Sequence, residues 1–313
     1  MPKFELPAPE DDGLFIPDVK AWSADKHHFL RRYMDAFTQA MKAKAWDSLH
    51  YIDLFAGAGI ERVEDKGLDW GSPLIAAQLP VRFHQLHLVD SSPRKLEALT
   101  RRLQRFQQPT NPQLILGDAN KCVGDVISQV PSGALSLAFL DPYGLHLHYE
   151  TLKTLAQRRV DFVIFFPDHI DALRNHEFYY KKNPNSKLTQ VLGTDEWEPA
   201  LAAATPGKAA EILNNLYVAQ IRVLGYDHFD YERIERPDGH PLYRLISCSR
   251  DKVGGKIWRG ITQRKPDGQG SFDFESYSLG CGRRVARRLV LGASANSRKT
   301  KVDRRKLGSC RKT

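Results

Sequence analysis

The chain has 313 residues, of which 42% are apolar and 27% are charged, a composition typical of a soluble globular protein. No run of about 18 apolar residues is present, which excludes a membrane span, and the acidic N-terminus lacks the apolar segment of a secretory signal. The four scattered cysteines form no disulfide or zinc-binding pattern, so we expect a cytoplasmic protein: Cys122, Cys248, Cys281 and Cys310.

The net charge of +9 arises in one segment. Residues 276–313 contain twelve Lys and Arg residues and one acid, Asp303, whereas residues 1–275 contain 34 basic and 36 acidic residues. The body of the chain therefore carries little net charge, which argues against broad binding to a phosphate backbone. We expect 276–313 to be a disordered basic tail that either binds nucleic acid or is foreign to the domain.

Residues 1–48 are predicted to form an acidic, proline-rich arm and then a helix. Ser23 is the candidate N-cap, and apolar residues recur at helical spacing to about Trp46. Trp22 and Lys26 lie at the start of this helix. The helix either folds over a ligand or is anchored to the core by the tryptophan, and we favour the anchor.

Residues 49–275 are predicted to form one Rossmann-like domain, because apolar strands alternate with helices into a doubly wound, mostly parallel sheet. The predicted strands are 50–55, 85–89, 113–116, 135–140 and 160–166. The predicted helices are 72–79, 92–106, 121–129, 149–157 and 208–224. Residues 168–206 are predicted to be an insertion. The segments 229–234 and 242–248, with the turn Arg236-Pro237-Asp238-Gly239 between them, are predicted to form a C-terminal antiparallel hairpin, which makes the topology that of class I methyltransferases.

Four acids stand at the ends of the first four predicted strands: Asp53, Asp90, Asp118 and Asp141. Ligands of open α/β sheets bind at the carboxyl ends of the strands. Each acid alone has a plain alternative as a helix cap or loop residue. The four together favour one binding site.

The strongest motif is DLFAGAG (53–59), a glycine-rich turn that lets a ligand approach the backbone. A dinucleotide site needs a third glycine, where Arg62 stands, and an acid about 20 residues further on, whereas Asp90 is more than 30 residues away. S-adenosylmethionine has no phosphate and needs only Gly57, Gly59 and acids for its amine and ribose. We therefore favour S-adenosylmethionine, and a nucleotide-binding oxidoreductase is the weakest alternative.

The predicted cofactor contacts follow from these positions. Asp90 is placed to accept from the ribose hydroxyls, Asp118 is placed near the adenine amine, and Asp53 is placed to meet the methionine end, directly or through water. Neighbouring residues complete the predicted cofactor site: Phe55, Gly57, Gly59, Ser91 and Ala119. We predict no metal, because the histidines that follow the fourth and fifth strands lack a paired ligand spacing: His146, His148, His169 and His176.

The fourth strand ends in Asp141-Pro142-Tyr143-Gly144. It partly resembles the Asp/Asn-Pro-Pro-aromatic motif of amino-methyltransferases, in which oxygens accept hydrogen bonds from the target NH2 and the ring stacks on the base. Here the second proline is missing and the ring comes one position early. The alternative is a plain turn with a tyrosine at its rim. The predicted catalytic residues are Asp141, Pro142 and Tyr143.

Over about 20–275, the pattern resembles the three-Cys-motif partner protein family, which is itself similar to class I methyltransferases. The matching segments include YIDLFAGAG (51–59), GSPLIAAQ (71–78), LVD (88–90), GDAN (117–120), FLDPYG (139–144), VDFVIFFP (160–167) and LYRLISCSRDKVGGKIW (242–258). The resemblance implies S-adenosylmethionine binding and a partner with a three-cysteine motif of the radical-enzyme kind. It supplies no substrate.

Two hypotheses of different classes follow. The first is a methyltransferase that acts on a nitrogen, with a nucleic-acid base as the leading acceptor, which would have to be flipped out of a duplex. The second is a non-catalytic partner of a three-cysteine-motif protein, which would dock through the aromatic and basic residues 178–182.

Overall fold

The computed structural model describes residues 4–106, 112–167, 186–205, 207–235 and 241–262. In chain order the strands are β1 (Asp18–Val19), β2 (Leu49–Asp53), β3 (Ile60–Val63), β4 (Gly67–Trp70), β5 (Gln85–Asp90), β6 (Gln113–Leu116), β7 (Leu135–Leu140), β8 (Arg159–Phe166), β9 (His228–Glu235) and β10 (Pro241–Ser249). The helices are α1 (Trp22–Met41), α2 (Ser72–Ala77), α3 (Pro93–Leu103), α4 (Ala119–Ser128), α5 (Tyr149–Leu155), α6 (Lys187–Leu192), α7 (Trp197–Ala202), α8 (Ala209–Val223) and α9 (Lys252–Thr262).

The main sheet has seven strands in the order β6-β5-β2-β7-β8-β10-β9. Six strands are parallel, and β10 runs antiparallel between β8 and β9. The central strands β2 and β7 are buried along their whole length, which explains why most of their residues are apolar. The predicted fold class, a Rossmann-like class I methyltransferase fold with a C-terminal antiparallel hairpin, is confirmed.

Alternate residues of the central strands pack into two clusters, one on each face of the sheet. In β8, Phe162 and Ile164 belong to one cluster, and Val163 and Phe165 belong to the other. Helices α4 to α8 complete the first cluster, and α1, α2, α3 and α9 complete the second. This alternation follows from the two-residue period of a strand and produces the doubly wound architecture.

A second, three-stranded sheet includes the end of the predicted arm and the segment between β2 and α2, where no strands were predicted. Strand β1 pairs in parallel with β3, and β3 pairs with β4 as a hairpin. These strands have only two to four residues and mixed polarity, so no periodic signal marks them. The hairpin brings Glu61 opposite Asp69, and it stands beside the end of β2.

Helix α1 differs from its prediction at both ends. Its N-cap is Ala21, and Ser23 is buried in the first turn, so the predicted Ser23 cap is wrong. The helix ends at Met41 and not near Trp46, because the residues after Met41 are exposed and the apolar stripe stops there. Helix α9 was not predicted. Gly254 and Gly255 lower its intrinsic propensity, and the burial of Trp258 against α1 compensates.

Some predictions fall outside the described residues: the basic tail 276–313, the hairpin turn 236–239, the aromatic segment 178–182, and His169 and His176. Within the described part of the insertion, the chain forms α6 and α7. In the residues that the structure covers, no helix combines the length and apolarity needed to cross a bilayer.

Candidate functional site

A cleft of about 900 Å³ opens at the carboxyl ends of the central strands. Its walls come from the arm, from the first turns of α1, from the β3–β4 hairpin and from the ends of β2, β7 and β8. This is the edge of a doubly wound sheet at which ligands bind, and the volume suits a nucleoside-sized ligand with a second molecule beside it. A smaller cavity of about 170 Å³ lies at the opposite edge, near Trp46 and Asp161, away from the predicted site residues.

The two glycines of the turn after β2 have different roles. Both have positive φ angles, 68° at Gly57 and 85° at Gly59, which favour glycine. A Cβ atom added at Gly59 would meet Leu74 and Leu99 within 3 Å, so Gly59 is needed for packing. A Cβ atom at Gly57 would meet nothing within 4 Å, and Gly57 lines the cleft. Only Gly57 therefore presents open space to a ligand.

Asp90 holds this turn in place. Its Oδ2 accepts a hydrogen bond from the Gly57 amide at 2.8 Å, and its Oδ1 accepts one from the Ser92 amide at 2.8 Å. Asp90 is buried, whereas its neighbour Ser91 is exposed. A carboxylate oxygen has two lone pairs, so each oxygen retains one for a ligand.

Asp53 lies beneath the cleft floor and not in its wall. Its side chain is fully buried and accepts hydrogen bonds from Tyr51 Oη at 3.0 Å, Ser72 Oγ at 2.6 Å and the Phe55 amide at 3.1 Å. Burial raises the pKa of the Asp53 carboxyl to about 7; the three donors temper this effect, and the charge of Asp141 adds to it. Phe55, two residues later, lines the cleft.

Asp118 is the N-cap of α4 and accepts a hydrogen bond from the Asn120 amide at 2.8 Å. It is exposed, and the adjoining Ala119 is buried. The side chain of Asn120 in turn donates to the His146 carbonyl and accepts from the His148 amide. The start of α4 is thereby tied to the loop that follows Tyr143.

The Asp141-Pro142-Tyr143-Gly144 segment forms one wall of the cleft. Asp141 Oδ2 accepts a hydrogen bond from Lys26 Nζ at 2.5 Å, and the Lys26 side chain is only 7% exposed. Burial lowers the pKa of the Lys26 ammonium, but the charges of Asp141 and Glu61 outweigh burial and raise it above its usual value. Lys26 is therefore a fixed positive charge inside the cleft.

Aromatic rings form the apolar part of the cleft. Phe165 and Tyr243 stack with centroids 4.3 Å apart, and Trp22 lies 6.1 Å from Tyr243. Tyr143, in contrast, is 92% exposed at the rim. An exposed tyrosine beside a half-buried carboxylate offers a planar ligand both a stacking surface and a hydrogen-bond acceptor.

The structure thus brings five of the predicted residues to the cleft: Phe55, Gly57, Asp141, Pro142 and Tyr143. Asp90 lies directly behind Gly57, whereas Asp53, Gly59 and Ala119 are in the interior. No three His, Cys, Asp or Glu side chains of the described ranges converge as metal ligands.

Sequence reasoning missed several residues of the cleft, among them Lys26 as an ion-pair partner, Glu61 and Tyr243. A signal existed for Lys26, because it lies three and four residues before Phe29 and Leu30, on the apolar stripe of α1. A lysine on a buried stripe needs a carboxylate partner. Glu61 and Tyr243 have no comparable signal.

The strand order and the cleft at the carboxyl edge define the molecule as a class I methyltransferase-like Rossmann domain. No protein-family model and no curated protein matches the sequence. The resemblance to the three-Cys-motif partner family therefore stays a prediction.

Several solved structures are similar in fold. A Legionella pneumophila protein of the DUF519 family has a TM-score of 0.47 and 11% identity over 80% of this chain and 95% of its own. The cofactor-bound protein Rv0187 from MTB has a TM-score of 0.43 and 12% identity over 73% and 81%. An O-methyltransferase from Bacillus cereus, in complex with SAH, has a TM-score of 0.43 and 6% identity over 72% and 80%.

Proposed function

We propose that this chain is an S-adenosylmethionine-dependent methyltransferase that methylates a nitrogen of a planar, base-like acceptor. One observation carries the proposal: the open backbone at Gly57 and the Asp141–Tyr143 motif face the same cleft. A nucleic-acid base is the acceptor class that we favour. The partner with a three-cysteine motif is supported by the sequence resemblance alone.

The residues present fit S-adenosylmethionine. Any side chain at position 57 would fill the open space beside the backbone, so the glycine leaves this space to a ligand. Asp90 would accept from the ribose hydroxyls through the lone pairs not used by Gly57 and Ser92. When bound, S-adenosylmethionine supplies an electrophilic methyl group on a positively charged sulfur.

The chain itself would supply orientation and hydrogen bonds. Lys26 takes Oδ2 of Asp141, so Oδ1 is the oxygen available to accept from the acceptor NH2. Tyr143 would stack on the acceptor ring, and the wall of Phe165 and Tyr243 would exclude water from the reacting atoms. Holding the two reactants in line supplies several kcal/mol of the rate enhancement without a strong base.

Calorimetric titration of S-adenosylmethionine and S-adenosylhomocysteine tests the cofactor assignment. Gly57→Ala should weaken both ligands by about tenfold or more, because the new methyl group fills the approach space. The matched control is Gly13→Ala. Gly13 also has a positive φ, 73°, and open space around a Cβ atom, so it carries the same backbone strain outside the cleft. Parent protein that binds neither ligand, or a Gly57→Ala variant that binds like the control, would contradict the assignment.

Transfer of labelled methyl groups to single-stranded oligonucleotides tests the acceptor class. Asp141→Ala should lose methyl transfer while it retains S-adenosylhomocysteine, because it removes the oxygens that face the acceptor and leaves the proposed cofactor contacts at Gly57 and Asp90 in place. If the chain is a non-catalytic partner protein, the parent should show no transfer, and the substitution should not change binding of its partner. Retained transfer in Asp141→Ala would remove Asp141 from the mechanism.

A further inference from the structure

A line of three ionisable side chains leads away from the cleft wall and has no role in the mechanism above. Glu61, in β3, lines the cleft. His27, in α1, lies behind it, with 3.8 Å between His27 Nε2 and Glu61 Oε2. Asp69, in β4 and directly opposite Glu61 in the hairpin, lies 3.8 Å from His27 Nδ1 through its Oδ2.

Two atoms of this array are buried without a hydrogen bond to the described part of the chain: Glu61 Oε2 and His27 Nδ1. His27 is only 3% exposed. Native structures contain few such atoms, because a buried polar atom without a hydrogen bond destabilises the fold. Separations of 3.8 Å exceed a hydrogen bond, so neither contact satisfies these two atoms.

The neighbouring groups are less suited to receive a proton. Lys26 is already protonated, and the charges of Asp141 and Glu61 raise its pKa. Asp141 accepts a hydrogen bond from Lys26 Nζ and faces the acceptor amine in the proposed mechanism. Asp69 lies further from the cleft, and the contact with His27 lowers its pKa despite its burial. Glu61 remains as the carboxylate that lines the cleft, and its buried oxygen Oε2 is the one beside His27.

The geometry points to Glu61 as the group that takes the proton released by the methylated nitrogen, with His27 and Asp69 as positioning residues. This inference rests on the proposed function. The nitrogen lone pair forms the new N–C bond while the C–S bond breaks and its electron pair stays on sulfur. The nitrogen is then cationic. Glu61 takes one of its protons, the N–H electron pair returns to nitrogen, and the proton passes to solvent.

A ligand that carries an ammonium group at the transfer position tests this role without an acceptor. In sinefungin, a protonated amine replaces the methyl-bearing sulfonium of S-adenosylmethionine, whereas S-adenosylhomocysteine has no charge there. A carboxylate at the transfer position should make the parent bind sinefungin more tightly than S-adenosylhomocysteine. Glu61→Gln should weaken sinefungin by about tenfold and change S-adenosylhomocysteine by less than about twofold.

The matched control is Glu64→Gln. Glu64 also lines the cleft, but its side chain is half exposed and pairs with Lys20. It should leave both affinities unchanged. Asp69→Asn should partly reduce the preference for sinefungin. Glu61→Asp should retain part of this preference, because the negative charge remains, on a shorter side chain. A purely structural role would alter both ligands equally.

The outcomes separate this inference from the proposed function. Failure of the parent to bind S-adenosylhomocysteine would overturn both. Normal binding of S-adenosylhomocysteine with no preference for sinefungin, or with a preference that Glu61→Gln leaves intact, would overturn the role of Glu61 alone. An equal loss of both ligands in Glu61→Gln would do the same, because it would assign Glu61 to the architecture of the cleft.

Discussion

At the scale of single residues, the cleft depends on one buried ion pair. Lys26 Nζ also lies 5.4 Å from the centroid of the Phe165 ring, so the ammonium is held between a carboxylate and an aromatic face. A buried charge without its partner carries the full cost of its desolvation. The Lys26–Asp141 pair therefore both shapes the cleft and makes each partner necessary to the other.

Lys26→Met should lower the free energy of unfolding by about 3 kcal/mol, because Asp141 then loses its partner in a half-buried site. Urea denaturation measures the change. The control is Lys20→Met, which removes the exposed pair with Glu64 and should cost less than about 1 kcal/mol. The double variant Lys26→Met/Asp141→Asn should recover part of the loss. Strictly additive effects of the two substitutions would show that the pair is not coupled.

At the scale of elements, one buried arginine of α3 contacts the N-terminal arm at two residues. Arg102 is 1% exposed, and its Nε and Nη2 atoms donate to both oxygens of Asp12 at 3.0 and 2.8 Å. Its Nη1 donates to the carbonyls of Phe15 and Ala58. One guanidinium thus joins the arm to the glycine turn, and this fork geometry is specific to arginine.

Arg102→Met should lower the free energy of unfolding by about 3 kcal/mol and expose the arm to limited proteolysis before the rest of the domain. Arg105→Met is the control, because Arg105 pairs with the same Asp12 but is more than half exposed, and it should cost less than about 1 kcal/mol. An arm that stays protected in Arg102→Met would mean that pairing of β1 with β3 suffices to hold it.

At the scale of the whole molecule, buried groups with opposite titration behaviour lie at the two edges of the sheet. Asp53, at the carboxyl edge, has a pKa raised to about 7 by burial. His50, at the other edge, has a pKa lowered to about 4, first by burial and then by the charge of His87, whose Nε2 lies 2.9 Å from His50 Nδ1. At low pH the protonated Asp53 carboxyl favours the folded state, whereas protonation of the His50 imidazole favours the unfolded state.

Substitutions of Asp53 and His50 should therefore change the slope of unfolding free energy against pH in opposite directions. The raised pKa of Asp53 stabilises the folded state below about pH 4, and this contribution is lost as the pH rises to about 7. Asp53→Asn removes this loss, so the free energy of unfolding should increase more steeply with pH in the variant than in the parent. Because the pKa of His50 is lowered, its contribution to the stability of the fold is lost as the pH falls from about 6.5 to 4. His50→Gln removes this loss, so the free energy of unfolding should increase less steeply with pH in the variant. Urea denaturation between pH 4 and 7 measures the slope for each variant. A change of slope in the same direction in both variants would contradict these pKa directions.

Much of the main sheet was predictable, because its signals are local. Strands β2, β5, β6, β7 and β8 are short, largely apolar runs between helical periods, and the hairpin of β9 and β10 has its own turn signal. Strands β1, β3 and β4 were not predictable, since they are short and are stabilised by pairing with one another. Helix α9 was not predictable, because its glycines oppose the helix and its burial against α1 sustains it.

The sequence by itself determined the alternation of strands and helices, the position of acids at the strand ends and the glycine turn, because each depends on residues close together along the chain. Only the tertiary structure decided which of these groups face the cleft. Asp53 turns inward, while Lys26 meets Asp141 across 115 residues of sequence and His27 comes between Glu61 and Asp69. Charge pairing depends on distance in space, and the packing of α1 and the hairpin over the sheet edge sets that distance.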